Sequence, residues 1–485
     1  MISSGQCWRA YTGLGEAMDC TIRFTADQWA ALQSGLWARQ DVETGAIVFA
    51  EAMPSVSSAS LAVREIVSVP SEAYRARRPD YLELDPVWMN KQCFEARRRG
   101  LSVFTAHTHL SDGAAWFSWA DDLGDRRLMP AFVAQMPDRP HGALNITRSD
   151  ALARTYTDGS FCPARISVAG KRLLVLPRAE PPESSNATHS RQQLALGRDG
   201  QARVTAVRAG VVGLGGTGSV VRALLGRLGL GGLVLVDGDR LEASNLSRVL
   251  GSSWKDVEAA ETKTAVARRS LQGVVTHTEV FTAEQHIASE GDLDLLANCD
   301  VIFSCVDRLT PRALLNRLAY GAHVPVIDMG SAFRVDENGA IISQGGKVVV
   351  VGPGRPCLWC WGDLDAERIR IESLAPEERT REAEHGYITG ADEPQPSVVS
   401  FNATLAAAAV TEFLRMVTGF AGADAPPDRI NFDFARGTAT RARGVSRPEC
   451  RFCGEASRAH SNPPTMGARP AVTQTHERIG GTAPV

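Results

Sequence analysis

Between residues 200 and 350 short apolar runs alternate with helical patterns, and this alternation constrains the fold more than any other feature of the chain. The runs are Ala209–Leu214, Leu233–Asp237, Val301–Cys305 and Val324–Met329. Strands of that length separated by helices form βαβ units and a parallel sheet. Directly after the first run stands VVGLGGTG, in which Gly213, Gly215 and Gly218 satisfy GxGxxG, with Gly216 between them. Glycine at such a strand-to-helix turn lets the backbone approach a phosphate and aims the helix N-terminus at it. By itself this marks any nucleotide-binding α/β domain.

The residues that follow narrow the class. Asp237 closes the LVLVD strand, where it is placed to hold a ribose hydroxyl, and Asp239, Asn245 and Arg248 lie in DGDRLEASNLSRVL. Lys263 lies in ETKTAVARR, and Asp307 ends FSCVD. A dehydrogenase has no use for Arg and Lys converging on phosphate with an aspartate opposite. An adenylating enzyme does: a carboxylate attacking the α-phosphate of ATP is anion meeting anion, so the transition state needs cationic side chains and a magnesium ion for the pyrophosphate.

These motifs resemble the ubiquitin-activating superfamily, in particular the ThiF/MoeB-type adenylyltransferases of thiamine and molybdopterin biosynthesis. The resemblance runs from about Ser190 to Gly454 and includes SRQ at 190–192, SNLxR at 244–248 and PSVVSFNATLAAAAVTEFL at 396–414, similar to the family's closing helix. It implies a Rossmann-like adenylation domain with ATP-phosphate contacts from Arg248 and Lys263, magnesium on Asp307 and ribose on Asp237. Asp239 and Asn245 would line the nucleotide, and Arg191 would reach the ATP of a second copy in a homodimer. The family's Gly-x-x-Lys is here Ala260-Glu261-Thr262-Lys263, with two extra residues after Arg248.

Two CxxC pairs, Cys357/Cys360 and Cys450/Cys453, are separated by residues 361–449. Four thiolates make a closed, tetrahedral, structural zinc site. The spacing does not oblige the pairs to meet; the resemblance implies that they do. Activating enzymes that form a thioester carry a cysteine in this crossover, and residues 361–449 contain none. The adenylate would then pass directly to a partner's nucleophile, or another group would accept the acyl.

A second constellation lies upstream, in HTHLSDGAAWFSWADD (107–122). His107 and His109 are two apart and in extended chain face one side. Ser118 and Asp121, three apart on a candidate helix, share a face. Two imidazoles and a carboxylate form a three-ligand zinc set with a fourth position open to water. HxH, a short spacer and SxxD resemble the JAMM metalloprotease family; the spacer, 110–117, is one residue longer than the commonest form, and Leu110 stands where many members have Pro. The resemblance implies zinc on His107, His109 and Asp121, an oxyanion contact from Ser118 and an upstream glutamate as general base then acid. Glu43, before an apolar run, fits that role, with Glu51 and Glu65 as competitors. Substrates of that family are peptide or isopeptide bonds after the C-terminus of a ubiquitin-like protein.

The expected organisation is an extension (1–19), a mixed α/β JAMM-like domain (20–176), a linker (177–190), the adenylation domain (191–454) and a disordered tail (455–485). Within the first domain, helices are expected at Ala26–Trp37 and at Pro86–Arg99 closed by Gly100, and strands at Ala46–Ala50, Leu61–Val69 and Ser102–Ala106. The charged stretch 361–395 reads as a mobile loop with some helix. With 52 basic and 55 acidic residues, no organisation around nucleic acid is expected. No apolar run reaches the roughly 18 residues of a membrane span, and MISSGQCWRAYTG is not a signal pattern, so a cytoplasmic location is expected.

The function expected is bifunctional. One domain adenylates the C-terminal glycine of a ubiquitin-like protein with ATP and Mg2+; the other, with a catalytic zinc beside the structural one, cleaves after that glycine. Such a fusion fits a bacterial ubiquitin-like conjugation system with a separate conjugating protein. The alternative is activation and trimming of a sulfur-carrier protein for cofactor biosynthesis.

Overall fold

The computed structural model describes residues 19–53, 58–157, 159–177, 187–275, 277–335, 341–384, 397–422 and 428–454. The expected tail and all but the last residue of the expected extension lie outside them. The chain divides into two compact units, residues 1–178 and 179–485.

Among the described residues the first unit has ten strands: β1 (Asp19–Thr25), β2 (Gly45–Met53), β3 (Ser58–Ser68), β4 (Tyr74–Arg78), β5 (Tyr81–Leu84), β6 (Ser102–Thr108), β7 (His141–Ile146), β8 (Ala151–Thr157), β9 (Ser160–Ala169) and β10 (Leu173–Leu176). Eight of them form one mixed sheet, ordered β1-β3-β2-β6-β7-β8-β9-β10, and β1 also pairs with β9, so the ladder closes on itself. Alternation along β2 shows how the layers form. Val48 and Ala50 join Trp29, Leu32 and Leu36 of the helix Ala26–Leu36 in one core, with Phe24 and Phe104. Ile47 and Phe49 face the opposite way, into a second core with Met89 and Cys93 of the helix Pro86–Arg99 and Phe132 of the helix Trp119–Gln135. Each such large apolar side chain contributes about 1.5–3 kcal/mol by leaving water. The helix Pro86–Arg99 begins where Asp85 caps it, its carboxylate accepting from Trp88 N at 3.0 Å, and ends at Gly100 with φ 69°.

The second unit holds β11 (Arg208–Val212), β12 (Gly232–Val236), β13 (Glu279–Ala283), β14 (Val301–Ser304), β15 (Val326–Val335), β16 (Ile341–Val351), β17 (Arg429–Asp433) and β18 (Thr438–Ala442), ordered β13-β12-β11-β14-β15-β16-β17-β18. From β13 to β15 neighbours run parallel; β16, β17 and β18 continue antiparallel. Burial of β11 on both faces follows from helices packed on either side of a parallel sheet. Strand order reverses between β11 and β14, and the carboxyl ends there open the crevice where such sheets bind ligands.

One boundary differs by a residue, and the helix expected within 361–395 is present in its described part. Ser190, expected as the last linker residue, already opens the helix Ser190–Thr205; Gly197 interrupts that helix with φ 74°, which breaks the apolar periodicity a reader would follow. The charged stretch 361–395 carries the helices Ala366–Glu372 and Pro376–Glu384, tied together by Arg370 bridging Glu367 and Glu382; residues 385–395 lie outside the described chain.

Candidate functional site

In the first unit, β2 pairs with one side of β6 and β7 with the other, setting Gly45 and Asn145 opposite His107. The two histidines face one another, with Nε2 atoms 3.3 Å apart. Asp121 reaches both, one carboxylate oxygen 3.0 Å from His107 Nε2 and the other 3.2 Å from His109 Nε2. The three ligand atoms lie within 4.8 Å of one another. Two imidazole nitrogens and a carboxylate converging on one point in a buried place suit a divalent cation such as zinc, and this donor set leaves the fourth position open.

Asp121 is held by its own helix start. Ser118 is the N-cap of Trp119–Gln135: its Oγ accepts from Asp121 N at 3.2 Å, and Asp121 Oδ2 accepts from Ser118 N at 2.6 Å. The Ser-x-x-Asp pair is thus also a capping box. Ser118 spends a lone pair in this and keeps its O–H for donation. Burial works to raise the Asp121 carboxyl; hydrogen bonds from His107 and His109 overcome it and hold the group well below the usual range. Of the three candidate glutamates, Glu43 is the one beside the histidines, its Oε1 3.8 Å from His109 Nε2. Glu51 is bound to Arg64 and Glu65 to Arg99. Burial pushes the Glu43 carboxyl up to about 7. Trp116 lays its ring 4.7 Å from that of His109 while 47% exposed, so it borders the site.

Two residues of this centre lack any local sequence signal. Buried Asn145 sets its Nδ2 3.1 Å from His107 Nε2, which only the pairing of β6 with β7 brings about. Arg154 on β8 binds Asp125 at 2.7 Å and Asp122 at 2.5 Å, and stacks between the rings of Phe117 and Phe161 at 3.8 and 4.1 Å. It grips the helix one residue and one turn beyond Asp121.

In the second unit the glycine loop lies between β11 and the helix Gly216–Leu228. Gly213 has φ 87°, and a β-carbon there would stand 2.7 Å from the carbonyl oxygen of Cys305, two residues before Asp307. The loop after β14, which carries exposed Asp307, therefore borders the glycine loop. Asp237 is buried; its two oxygens accept from Leu214 N at 2.6 Å and Asp239 N at 2.8 Å, fixing the loop from below. Burial raises its carboxyl. Arg248 crosses Gly216, its Cδ 3.2 Å from where a β-carbon would sit, and its Nη1 donates to Ser244 O at 2.7 Å. Lys263 Nζ binds Asp239 Oδ2 at 2.6 Å. His286, which no motif marks, sits 3.5 Å from Asp239. Buried Asn245 sits within the turn Ala243–Asn245, its Nδ2 3.3 Å from Ser244 Oγ. Arg191 is exposed in the first turn of Ser190–Thr205. Asn402, from the helix Val399–Thr418, covers the loop from the far side, its Nδ2 2.3 Å from a β-carbon on Gly216.

The two CxxC pairs meet. Cys357 Sγ lies 3.5 Å from Cys450 Sγ and Cys360 Sγ 3.4 Å from Cys453 Sγ, all four within 4.8 Å. Zn–S bonds of about 2.3 Å set tetrahedral edges near 3.8 Å, so the thiolates fit zinc.

The second unit has relatives among known proteins. The profile described as "ThiF family" matches residues 189–452, more than half of the chain. The adenylyltransferase and sulfurtransferase MOCS3 of Mus musculus is 29% identical over 67% of this chain and 64% of its own length. The ThiS adenylyltransferase of Bacillus subtilis is 28% identical over 36% of this chain and 49% of its own. The chain thus spans about half to two thirds of these two relatives. The molybdopterin-synthase adenylyltransferase of Salmonella typhimurium is 30% identical over 39% of this chain and 73% of its own.

Proposed function

Because the chain belongs to the ThiF family, we propose that its second unit adenylates the C-terminal carboxylate of a ubiquitin-like protein, and that its first unit hydrolyses the bond after that terminus. The observation that carries the first half is the meeting of the glycine loop, Arg248 and the Asp307 loop at the point where strand order reverses. There the N-terminus of Gly216–Leu228 faces the nucleotide phosphates. Arg248 and Lys263 offset charge at the α-phosphate as the incoming carboxylate attacks; pyrophosphate departs as the acyl–phosphate bond forms. Asp307 would hold Mg2+, which neutralises the leaving group. Asp237 keeps the loop in shape and presents its remaining lone pairs to the ribose, with Asp239 and Asn245 alongside. Arg191 serves the ATP of a second copy in a homodimer. With no cysteine in residues 361–449, the acyl-adenylate goes directly to a nucleophile on a partner such as a separate conjugating protein.

In the first unit a zinc ion on His107, His109 and Asp121 would lower the pKa of a water to about 7. Glu43 accepts the proton of the attacking water and delivers it to the leaving amine. Ser118 donates its hydroxyl to the developing oxyanion. Cys357, Cys360, Cys450 and Cys453 would hold a second, structural zinc.

ATP–pyrophosphate exchange that requires a glycine-tailed partner and disappears in Asp307→Ala tests the adenylation. Loss of cleavage of a C-terminal extension in His109→Ala tests the hydrolysis. No exchange with any such partner sinks the first half. The names of the matched relatives favour a second reading, a sulfur-carrier substrate; a thiocarboxylate on the partner, detected by mass, distinguishes it. Among the described residues no helix is long and apolar enough to cross a membrane.

A further inference from the structure

Resting on the reading that the His107–His109–Asp121 trio holds zinc, we propose that Asn145 is a fourth member of that cation site, its side-chain oxygen facing the ion. Asn145 is fully buried, on the strand that pairs with β6, in register with His107. Its Nδ2 approaches His107 Nε2 at 3.1 Å, and its Oδ1 is buried with no hydrogen-bond partner among the described residues. A buried polar oxygen left unpaired is destabilising, and such an atom beside an ion site calls for a cause.

His107 Nε2 offers one position: whether it donates to Asp121 or binds a cation, it has no lone pair left for Asn145 Nδ2. Loading the trio therefore leaves a positively polarised NH2 beside a cation. Half a turn about the last side-chain bond exchanges the two ends of the amide and puts Oδ1 in that place. The oxygen then gains a cation where it had nothing, and the repulsion is removed. A neutral carbonyl is a weak ligand compared with imidazole or carboxylate; it would add a position to the ion's shell, and water would keep the one that the trio leaves open.

The test uses full-length protein with its cysteine site kept filled by zinc. The first site is emptied and titrated with cobalt(II), reading affinity and the visible spectrum. Asn145→Leu, close in shape and without the oxygen, is expected to weaken cobalt by about ten- to a hundredfold and to change the spectrum. Asn145→Asp, which keeps the oxygen and adds charge, is expected to bind more tightly than wild type. Wild-type affinity and an unchanged spectrum in Asn145→Leu overturn the proposal. Should Asn145→Leu not fold, Asn145→Asp decides: no tightening and no spectral change overturn it equally. A wild-type first site that takes no cobalt, or cobalt binding that survives His107→Ala, removes the zinc reading and this proposal together. Indifference to residue 145 alone removes only the latter.

Discussion

The carbonyl oxygen of Gly213 lies 1.8 Å from the point that a β-carbon on Gly218 would occupy. The loop is folded so tightly on itself that the last glycine of GLGGTG serves the fold before it serves a ligand. Gly215 differs: a β-carbon there meets no atom of the described residues within 4 Å. Gly218→Ala is therefore expected to destabilise by about 1–3 kcal/mol through forced backbone shifts. Gly215→Ala is expected to keep the wild-type melting temperature and to lose ATP affinity, because the empty space is where phosphate approaches. Thermal unfolding and nucleotide titration of both variants separate the two roles; equal ATP binding in wild type and Gly215→Ala refutes the phosphate assignment.

Arg154 is expected to govern the first site without touching it. Asp125 is buried and bonded to Arg154 through both Nε and Nη2. Removing the guanidinium in Arg154→Met leaves that carboxylate uncompensated, which costs about 3–5 kcal/mol. Arg154→Lys is not expected to rescue, since a lysine neither forks between two carboxylates nor stacks between two rings. Denaturant unfolding gives the energy, and metal content of the folded fraction shows whether the helix start at Ser118 shifts with it.

Two zinc ions per chain are expected by metal analysis, one in each unit. Cys450→Ser is expected to lose the second unit's ion and keep the first; His109→Ala is expected to do the reverse. Strong chelation is expected to lower the melting temperature of wild type more than that of Cys450→Ser, which has only the first unit's ion to lose. A wild-type chain with one zinc that Cys450→Ser does not remove would contradict the four-thiolate assignment.

His141 makes the first unit sensitive to acid. It is buried, accepts from Val103 N at 3.0 Å through Nδ1 and contacts Met136 O at 3.0 Å through Nε2, so the neutral ring satisfies both partners. Burial holds its pKa below the ordinary imidazole value. The unfolded chain takes the proton more readily, so its stabilisation is complete above about pH 6.5 and declines as pH falls below that. Unfolding free energies at about pH 8 and about pH 5.5 should differ more in wild type than in His141→Gln.

What the sequence made legible was local. HxH on a strand and SxxD at a helix start are patterns within one turn or one pleat, and the structure brings His107, His109 and Asp121 together around one point. The glycine loop and the strands flanking it are equally local. Partners that depend on strand order were not legible: Asn145 and Arg154 lie on β7 and β8, more than a motif's length from the residues they serve. The choice among Glu43, Glu51 and Glu65 also needed pairing, because Glu43 precedes the Gly45–His107 register while Arg64 and Arg99 occupy the others. The two CxxC pairs show the limit most plainly. Each knuckle is readable alone, and their meeting follows from the path of the whole chain between them.

That meeting alters the topology of the second unit. With a metal on the four thiolates, the chain from Cys360 to Cys450 becomes a closed ring, and the helix Val399–Thr418 that covers Gly216 is one arc of it. Closing a loop of about 100 residues removes about 4–5 kcal/mol of freedom from the unfolded chain. It also means that one cut in the ring need not separate its pieces. A protease that nicks between residue 361 and β17 yields two polypeptides joined at the metal as well as through the pairing of β16 with β17, and a chelator removes the first of these ties.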